Sequence, residues 1–421
     1  MIKKSLLPLI LFSFAGSLAH AGFIGGDEKG NGGSVIYCEN RFESQRYEVL
    51  DLFEAREIQT FEMDVIEGIE YKKILREMIA RLADINPTRA SLYYSFLETF
   101  DREALFLKGT EFTDIPDRGW GALPKGCTLV QGAVQYKRPS IKGHRYYFNK
   151  DVWDRMTNTQ RSALVLHEFI YREGLQPENN FQTSNGVRLM NGFLHSTMMR
   201  DVTLPQYIDL LQRSGLQLAD ANGYHILLHS GQEAGRGQSY RVAFNDMGII
   251  TLATLARSFY LYGPGGRPMP VHCGTAQESA PERGGGVITF WPSGKVKHIL
   301  MSCTSAGFVL RSKEAIGQAT ASELIYNEQG LLSQIKTLQL ELNHVDYSLR
   351  STRPGGYVTF YQSGEPSQVC IGNYYADHQR SWIRDSTGEG AIVAQSGHDT
   401  FGLALDGRIY ESLKSRCGFP Q

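Results

Sequence analysis

Five short phrases in the second half of the chain constrain its fold more than any other feature: FNDMGIITLATL, FWPSGKVKHILM, YNEQGLLSQIKT, FYQSGEPSQVCI and LALDGRIYESLK. Each sets an apolar or aromatic residue and three mainly polar residues ahead of a glycine, then alternates apolar positions. The glycines are Gly248, Gly294, Gly330, Gly364 and Gly407, spaced 46, 36, 34 and 43 residues apart. Asn, Asp, Ser or Gln beside glycine tolerates the positive φ of a tight hairpin, and period-two alternation is the pattern of a half-buried strand. The phrases predict five hairpins in an antiparallel array, with quasi-regular spacing that leaves a barrel or a sandwich open.

The first half has a different grammar. Asp64 to Ala83 carries Val65, Ile69, Ile74, Leu75, Met78, Ile79 and Leu82 at a period near 3.6, which predicts an amphipathic helix. Asn86-Pro87 opens a second helix, running to about Phe106. Thr157 to Gln160 reads as a capping box at the head of the helix QRSALVLHEFIYRE, which stops near Gly174 and Pro177. Helices are also expected over Ser184 to Met199 and Leu204 to Ser214. Strands are expected over Val35 to Glu39 and Arg46 to Leu52, and in CTLVQGAVQY and HRYYFN. The expected fold class is α+β, a helix-rich α/β domain followed by an all-β, hairpin-repeat domain. The boundaries are 1–21 signal peptide, 22–34 Gly-rich arm, 35–222 α+β domain, 223–240 linker and 241–421 hairpin domain.

Compartment follows from the N-terminus. Lys3 and Lys4 precede a short apolar stretch from Leu6 to Leu18, and Ala19-His20-Ala21 has the small-x-small form of a signal-peptide cleavage site. The stretch is below the roughly 20 residues needed to span a bilayer, and no later segment reaches that length. Export to the periplasm or to the outside is therefore expected, with no transmembrane segment in the mature chain. Removing Lys3 and Lys4 from the 43 basic residues leaves 41 against 44 acidic ones, so bulk charge does not favour nucleic acid.

All six cysteines lie beyond the cleavage site, and none forms a C-x-x-C pair. An even number in an exported chain favours disulfides. Cys38 and Cys127 are the only cysteines of the first domain, so they are expected to pair. Among the remaining four, three connectivities are open; sequence proximity favours Cys273–Cys303 and Cys370–Cys417.

The sharpest candidate for chemistry is Leu164 to Gly174, LVLHEFIYREG. Aliphatic residues leading into His167-Glu168 on a capped helix resemble the zinc-binding helix of zincin metallopeptidases, in which two histidines at i and i+4 hold Zn²⁺ and the glutamate activates its water. Here the i+4 residue is Tyr171, a poor zinc ligand. A metal site would combine His167 with His195 and a third ligand from Tyr171, Glu173 or Asp201, with Glu168 as catalytic base. The plainer alternative is a buried polar cluster of His167 and Tyr171 with a Glu168–Arg172 pair along the helix. Asn185, Arg188 and Asn191 follow helical spacing and extend this polar group. Phe290, Trp291, Phe360, Tyr361 and Trp382 could form a ligand-binding stripe or pack a sheet core.

With GNGGSVIYC, DLFEARE, DIPD, LPKGC and LHEFIYRE in view, residues Gly30 to Met199 resemble exported proteins of predatory and related Gram-negative bacteria that share GNGG-x-V-x-x-C and LHE-x-x-YRE phrases. The resemblance implies an exported context and no established activity. The second half resembles β-hairpin repeats of the MORN-like or toxin-immunity type. Two functions are expected from these features: a periplasmic or secreted binding protein whose β array contacts a protein, peptide or glycan, or a divergent zinc-dependent hydrolase centred on His167 and Glu168.

Overall fold

The computed structural model describes residues 29–30, 33–42, 46–64, 66, 69–112, 123–176, 179, 181, 183–228 and 242–256, and the strands between Ser258 and Ile409 with the turns 291–295 and 327–331. The expected signal peptide, most of the Gly-rich arm, and Cys273, Cys303 and Cys417 lie outside these residues, as does the side chain of Cys370. The protein is α+β, with its helices in the first half and an antiparallel sheet through the second.

Seven helices are described: α1 (Leu50–Glu57), α2 (Tyr71–Ala83), α3 (Pro87–Glu103), α4 (Lys150–Trp153), α5 (Asn158–Gly174), α6 (Asn185–Leu194) and α7 (Leu204–Ser214). Beside them run β1 (Lys29–Gly30), β2 (Ser34–Cys38), β3 (Tyr47–Val49), β4 (Ala104–Leu107), β5 (Cys127–Gln131), β6 (Ala133–Tyr136) and β7 (Tyr146–Asn149). Strand β2 is the centre of a three-stranded sheet, β3-β2-β5, and β1-β6-β7-β4 form a second. Across the first, Cys38 sits directly opposite Cys127, and the two form the expected disulfide.

Helix α2 buries Ile74, Leu75, Met78, Ile79 and Leu82 completely, the stripe its periodicity predicts. It starts at Tyr71 rather than Asp64, with the Glu70 carboxylate accepting from Lys72 N as N-cap. Asn86 caps α3 by accepting from Arg89 N, and Pro87 sits in the first turn, where its missing N–H costs nothing. Arg46 to Leu52 is not one strand: β3 ends at Val49, and Leu50 opens α1, whose residues Leu50 to Ala55 are all buried. Half of the expected capping box of α5 forms. Thr157 Oγ1 accepts from Gln160 N, while the Gln160 side chain turns away to accept from Val49 N of β3. Between Ser162 and Gly174 only Arg172 escapes burial, so α5 is the central helix of the domain.

The linker expected over 223–240 opens with a strand. Hairpin β8 (Leu218–Ala221) and β9 (Tyr224–Leu227) turns at Asn222-Gly223, both at positive φ (51° and 85°), the geometry of a type I′ turn. Strand β9 then pairs with Ile250–Leu255, so the long sheet begins in the helical half. The five glycine phrases each fall on an antiparallel pair with one register. The residue four before the glycine opposes the residue two after it: Phe244↔Ile250, Phe290↔Val296, Tyr326↔Leu332, Phe360↔Pro366 and Leu403↔Ile409. In the first three turns the glycine is left-handed, at φ 75°, 80° and 81°, and its N–H closes the turn on Asn245, Trp291 or Asn327. These are three-residue loops with a glycine bulge, one residue longer than a two-residue hairpin turn.

One row of this sheet runs Ala253, Ile288, Ile299, Leu324, Ile335, each fully buried, and continues through the register positions of Val358, Val369 and Leu403. Its buried members share one contiguous core with α2, α3, α5, α6 and α7. The next row lies on the opposite face and begins Val287, Leu300, Glu323, Lys336. Val287 and Leu300 are exposed there, and Glu323 pairs with His298 and Lys336.

Candidate functional site

Three helices deliver the polar centre. Burial all round α5 carries His167 and Glu168 inside, at 1% and 0% exposure. Gly192 lets α6 approach α1 closely: a Cβ there would stand 2.5 Å from Ala55 Cβ and 3.2 Å from Asp51 O. This approach brings Asp51 of α1 against both neighbours. Its Oδ2 lies 2.8 Å from His167 Nδ1 and accepts from Asn191 Nδ2 at 2.6 Å. Asn191 Nδ2 also donates to Ala163 O, tying α6 to α5. His195, at the C-cap of α6, lies with Nδ1 3.0 Å from Asn191 O. The helix expected to reach Met199 stops at Leu194, because Ser196 leaves it to bridge Met63.

Burial acts to raise the Asp51 pKa, but the adjacent His167 and the two side-chain hydrogen bonds outweigh it and hold the carboxyl below its usual range. For His167 burial works downward and Asp51 more strongly upward, so its pKa is raised. The two form a buried ion pair. His195 lacks such a partner, and burial pushes its pKa down to about 4. It is therefore neutral near pH 7, with its proton on Nδ1 facing the carbonyl.

Glu168 points elsewhere. Its Oε1 accepts from Gly33 N at 2.8 Å. Gln135, with its amide oriented to satisfy both ends, donates to Glu168 O and Oε2. Burial pushes the Glu168 pKa up to about 7. Gly33 is required for this contact: a Cβ would lie 2.3 Å from Leu164 Cδ1. Gly33→Ala is expected to cost about 1–3 kcal/mol by overpacking. Adding Leu164→Ala should recover part of the loss in denaturant unfolding, and a neutral single variant would contradict the packing.

The other expected residues are spread over several places. Tyr171 is buried, with its ring parallel to the His167 imidazole at a centroid distance of 6.3 Å. Arg172 does not pair with Glu168. It bonds to Glu103 and the Tyr146 hydroxyl and lies over the Phe96 ring, while Glu168 is closed in by Gly33 and by Gln135 of β6. Glu173 is held by Arg89 and Tyr93 on the α3 side. Arg188 pairs with Glu54, one turn along α1 from Asp51, and also donates to Ser184 Oγ and Asn185 Oδ1. Asp201 is exposed at the end of a short 3₁₀ turn, Thr197–Asp201. Of the aromatic stripe, Phe290 packs in the core, and Trp291 is half-buried with its Nε1 donating to Tyr326 O. The side chains of Phe360, Tyr361 and Trp382 lie outside the described residues.

Zinc fits this centre only in part. Both imidazoles bond through Nδ1 and leave Nε2 without a protein partner, the arrangement seen in metal-bound histidines. Yet among the described residues no three of His, Cys, Asp and Glu are grouped to hold an ion. Glu168, which would have to face the metal-bound water, is engaged with Gly33 and Gln135. The donor set does not make a zinc centre.

A scan against protein-family models and a search of curated proteins found no match to the chain.

The pKa directions set a pH profile for stability. His195 has a folded-state pKa below its unfolded value, so its contribution is present above about pH 6.5 and is lost as pH falls through about 4. By pH 5 the loss is about 2 kcal/mol. Glu168 has the opposite sign: its folded pKa is raised, so stability is lost as pH rises from 4.5 through about 7. Thermal melts of Glu168→Gln should gain on the parent protein as pH climbs through 7. A constant difference between pH 5 and 8 would show that Glu168 is not titrating inside the fold.

Proposed function

We propose that the protein is an exported binding protein, whose α+β domain anchors a β array that presents the contact surface to a protein, peptide or glycan. The observation that carries this reading is the shared register of the five hairpins, which stack side by side into one sheet; over its described side chains, as far as Lys336, one face is buried and the other faces outward. On the outward face Val287 and Leu300 stand as an exposed cross-strand pair beside the polar side chains of His298, Glu323 and Lys336. Exposed apolar side chains rimmed by polar ones are a common form of contact surface. Export is supported by the leader-like N-terminus and by the Cys38–Cys127 disulfide, a bond that persists in oxidising compartments. Among the described residues no helix is long and apolar enough to cross a membrane.

A zinc-dependent hydrolase finds less support, since its base would be a fully buried carboxylate committed to a backbone N–H. Photo-crosslinking separates the two readings. A crosslinking residue at position 300 or 287 should yield a discrete adduct in the native compartment, whereas one at exposed Glu98 of α3 should not. Leu300→Asp should abolish binding of the adduct's partner. No adduct from the sheet, together with stoichiometric zinc lost on His167→Ala and hydrolysis lost on Glu168→Gln, would overturn the proposal.

A further inference from the structure

The hairpin that joins β6 to β7 concentrates positive charge in a chain that is balanced as a whole. No Asp or Glu occurs in residues 118–150, which carry seven Lys or Arg. Lys137, Arg138 and Lys142 lie exposed on the loop of this hairpin, and among the described residues none of the three makes an ion pair. Arg145 at the base of the loop is committed inward. Its Nε lies 3.4 Å from Glu103, and its Nη1 donates to the carbonyls of Tyr136 and Lys137.

The loop holds its tip in a fixed turn. Ser140 N donates to His144 O, Gly143 N closes the turn on Ser140 O, and Ser140 Oγ accepts from His144 N. Gly143 is left-handed at φ 86°, and a Cβ there would meet nothing within 4 Å. At the apex stands Ile141, 107% exposed. In the strands below, the half-buried rings of Tyr136 and Tyr147 meet edge to face at 5.2 Å. One exposed apolar side chain is ordinary on a protein surface. An apolar apex on a fixed turn, with cations around it and tyrosines at its base, has the composition of a membrane-interface anchor.

We propose that this hairpin docks the protein on an anionic phospholipid bilayer, with Ile141 entering the headgroup region and Lys137, Arg138 and Lys142 facing lipid phosphates. Each cation near such a surface strengthens attachment about fivefold. An acidic protein is the poorer occupant. A stable protein contact takes about 800 Å² from each side, and a protruding turn offers no seat of that size. The inference is independent of the outward face of the long sheet and of the polar centre.

The test is co-sedimentation of the purified protein with vesicles of phosphatidylcholine alone, or of equal parts phosphatidylcholine and phosphatidylglycerol. Binding is expected to the anionic vesicles only, and to weaken as salt is raised. Replacing Lys137, Arg138 and Lys142 together by Gln should weaken it roughly 100-fold, and Ile141→Ser about tenfold. All four positions are exposed, so both variants should keep the urea midpoint of the parent. Equal binding to neutral vesicles, no binding to either kind, or binding that ignores the triple variant or Ile141→Ser would overturn the proposal. So would hairpin-dependent binding of polyglutamate by a protein that leaves the vesicles alone.

Discussion

Glu173→Ala is expected to lower the stability of the protein by about 3–5 kcal/mol, the range for breaking a buried charge pair from one side. The side chains of Arg89 and Glu173 are 3% and 7% exposed. Arg89 Nε and Nη2 both donate to the Glu173 carboxylate, and Tyr93 donates to it at 2.6 Å. The same guanidinium reaches Tyr207 of α7 and Leu218 O of β8, so one cation joins α3, α5, α7 and the first strand of the long sheet. Removing the carboxylate strands that cation where water cannot reach it. The control is the double variant Arg89→Met with Glu173→Leu, which removes both charges and should lie much closer to the parent. Urea unfolding of the three proteins measures the difference. A cost below about 1 kcal/mol for the single variant would mean that the guanidinium finds solvent by relaxation.

Loss of the Cys38–Cys127 bridge is expected to cost about as much. The cysteines are 89 residues apart, and closing a loop of that size contributes about 4–5 kcal/mol in the chain-entropy model. The bridge also covers a second small core of Ile36, Leu50 and Phe53. Leu50 and Phe53 flank Asp51 at the head of α1, so opening the bridge loosens the helix that supplies the polar centre. Cys38→Ser with Cys127→Ser should shift the urea midpoint down and raise the slope, because the unbridged chain unfolds to a more open state. A midpoint within error of the parent would rule out the expected contribution.

The long-range order of the molecule was legible where sequence pattern and local physics agree. The stripe of α2, the caps of α3 and α5 and the five glycine phrases could be placed because periodicity, capping chemistry and positive φ act within a few residues. The disulfide followed from counting cysteines in the first half. What could not be read depends on contacts between distant segments. Helix α1 is buried nearly all round, which erases the stripe by which a surface helix is recognised, and its residues pass for a strand. Asp51 was therefore missed, although it organises the centre. Its only local signal is a carboxylate among Leu50, Leu52 and Phe53. His167 and Asn191 both meet Asp51, and His195 bonds to Asn191 O, while Glu168 and Arg172 separate because Gly33, Gln135 and Glu103 claim them from other parts of the chain.

The hairpin turns are stapled to one another along one rim of the sheet. Asn222 Nδ2 donates to Gly294 O, and Lys295 Nζ donates to Gln329 O, so three of the described turns are fastened in series. A chain fastened only to its neighbours can be lengthened by duplication, since an inserted hairpin needs to match the one before and the one after and nothing else. The number of hairpins, and with it the area of the outward face, is thus a quantity that evolution can adjust while the helical half stays as it is.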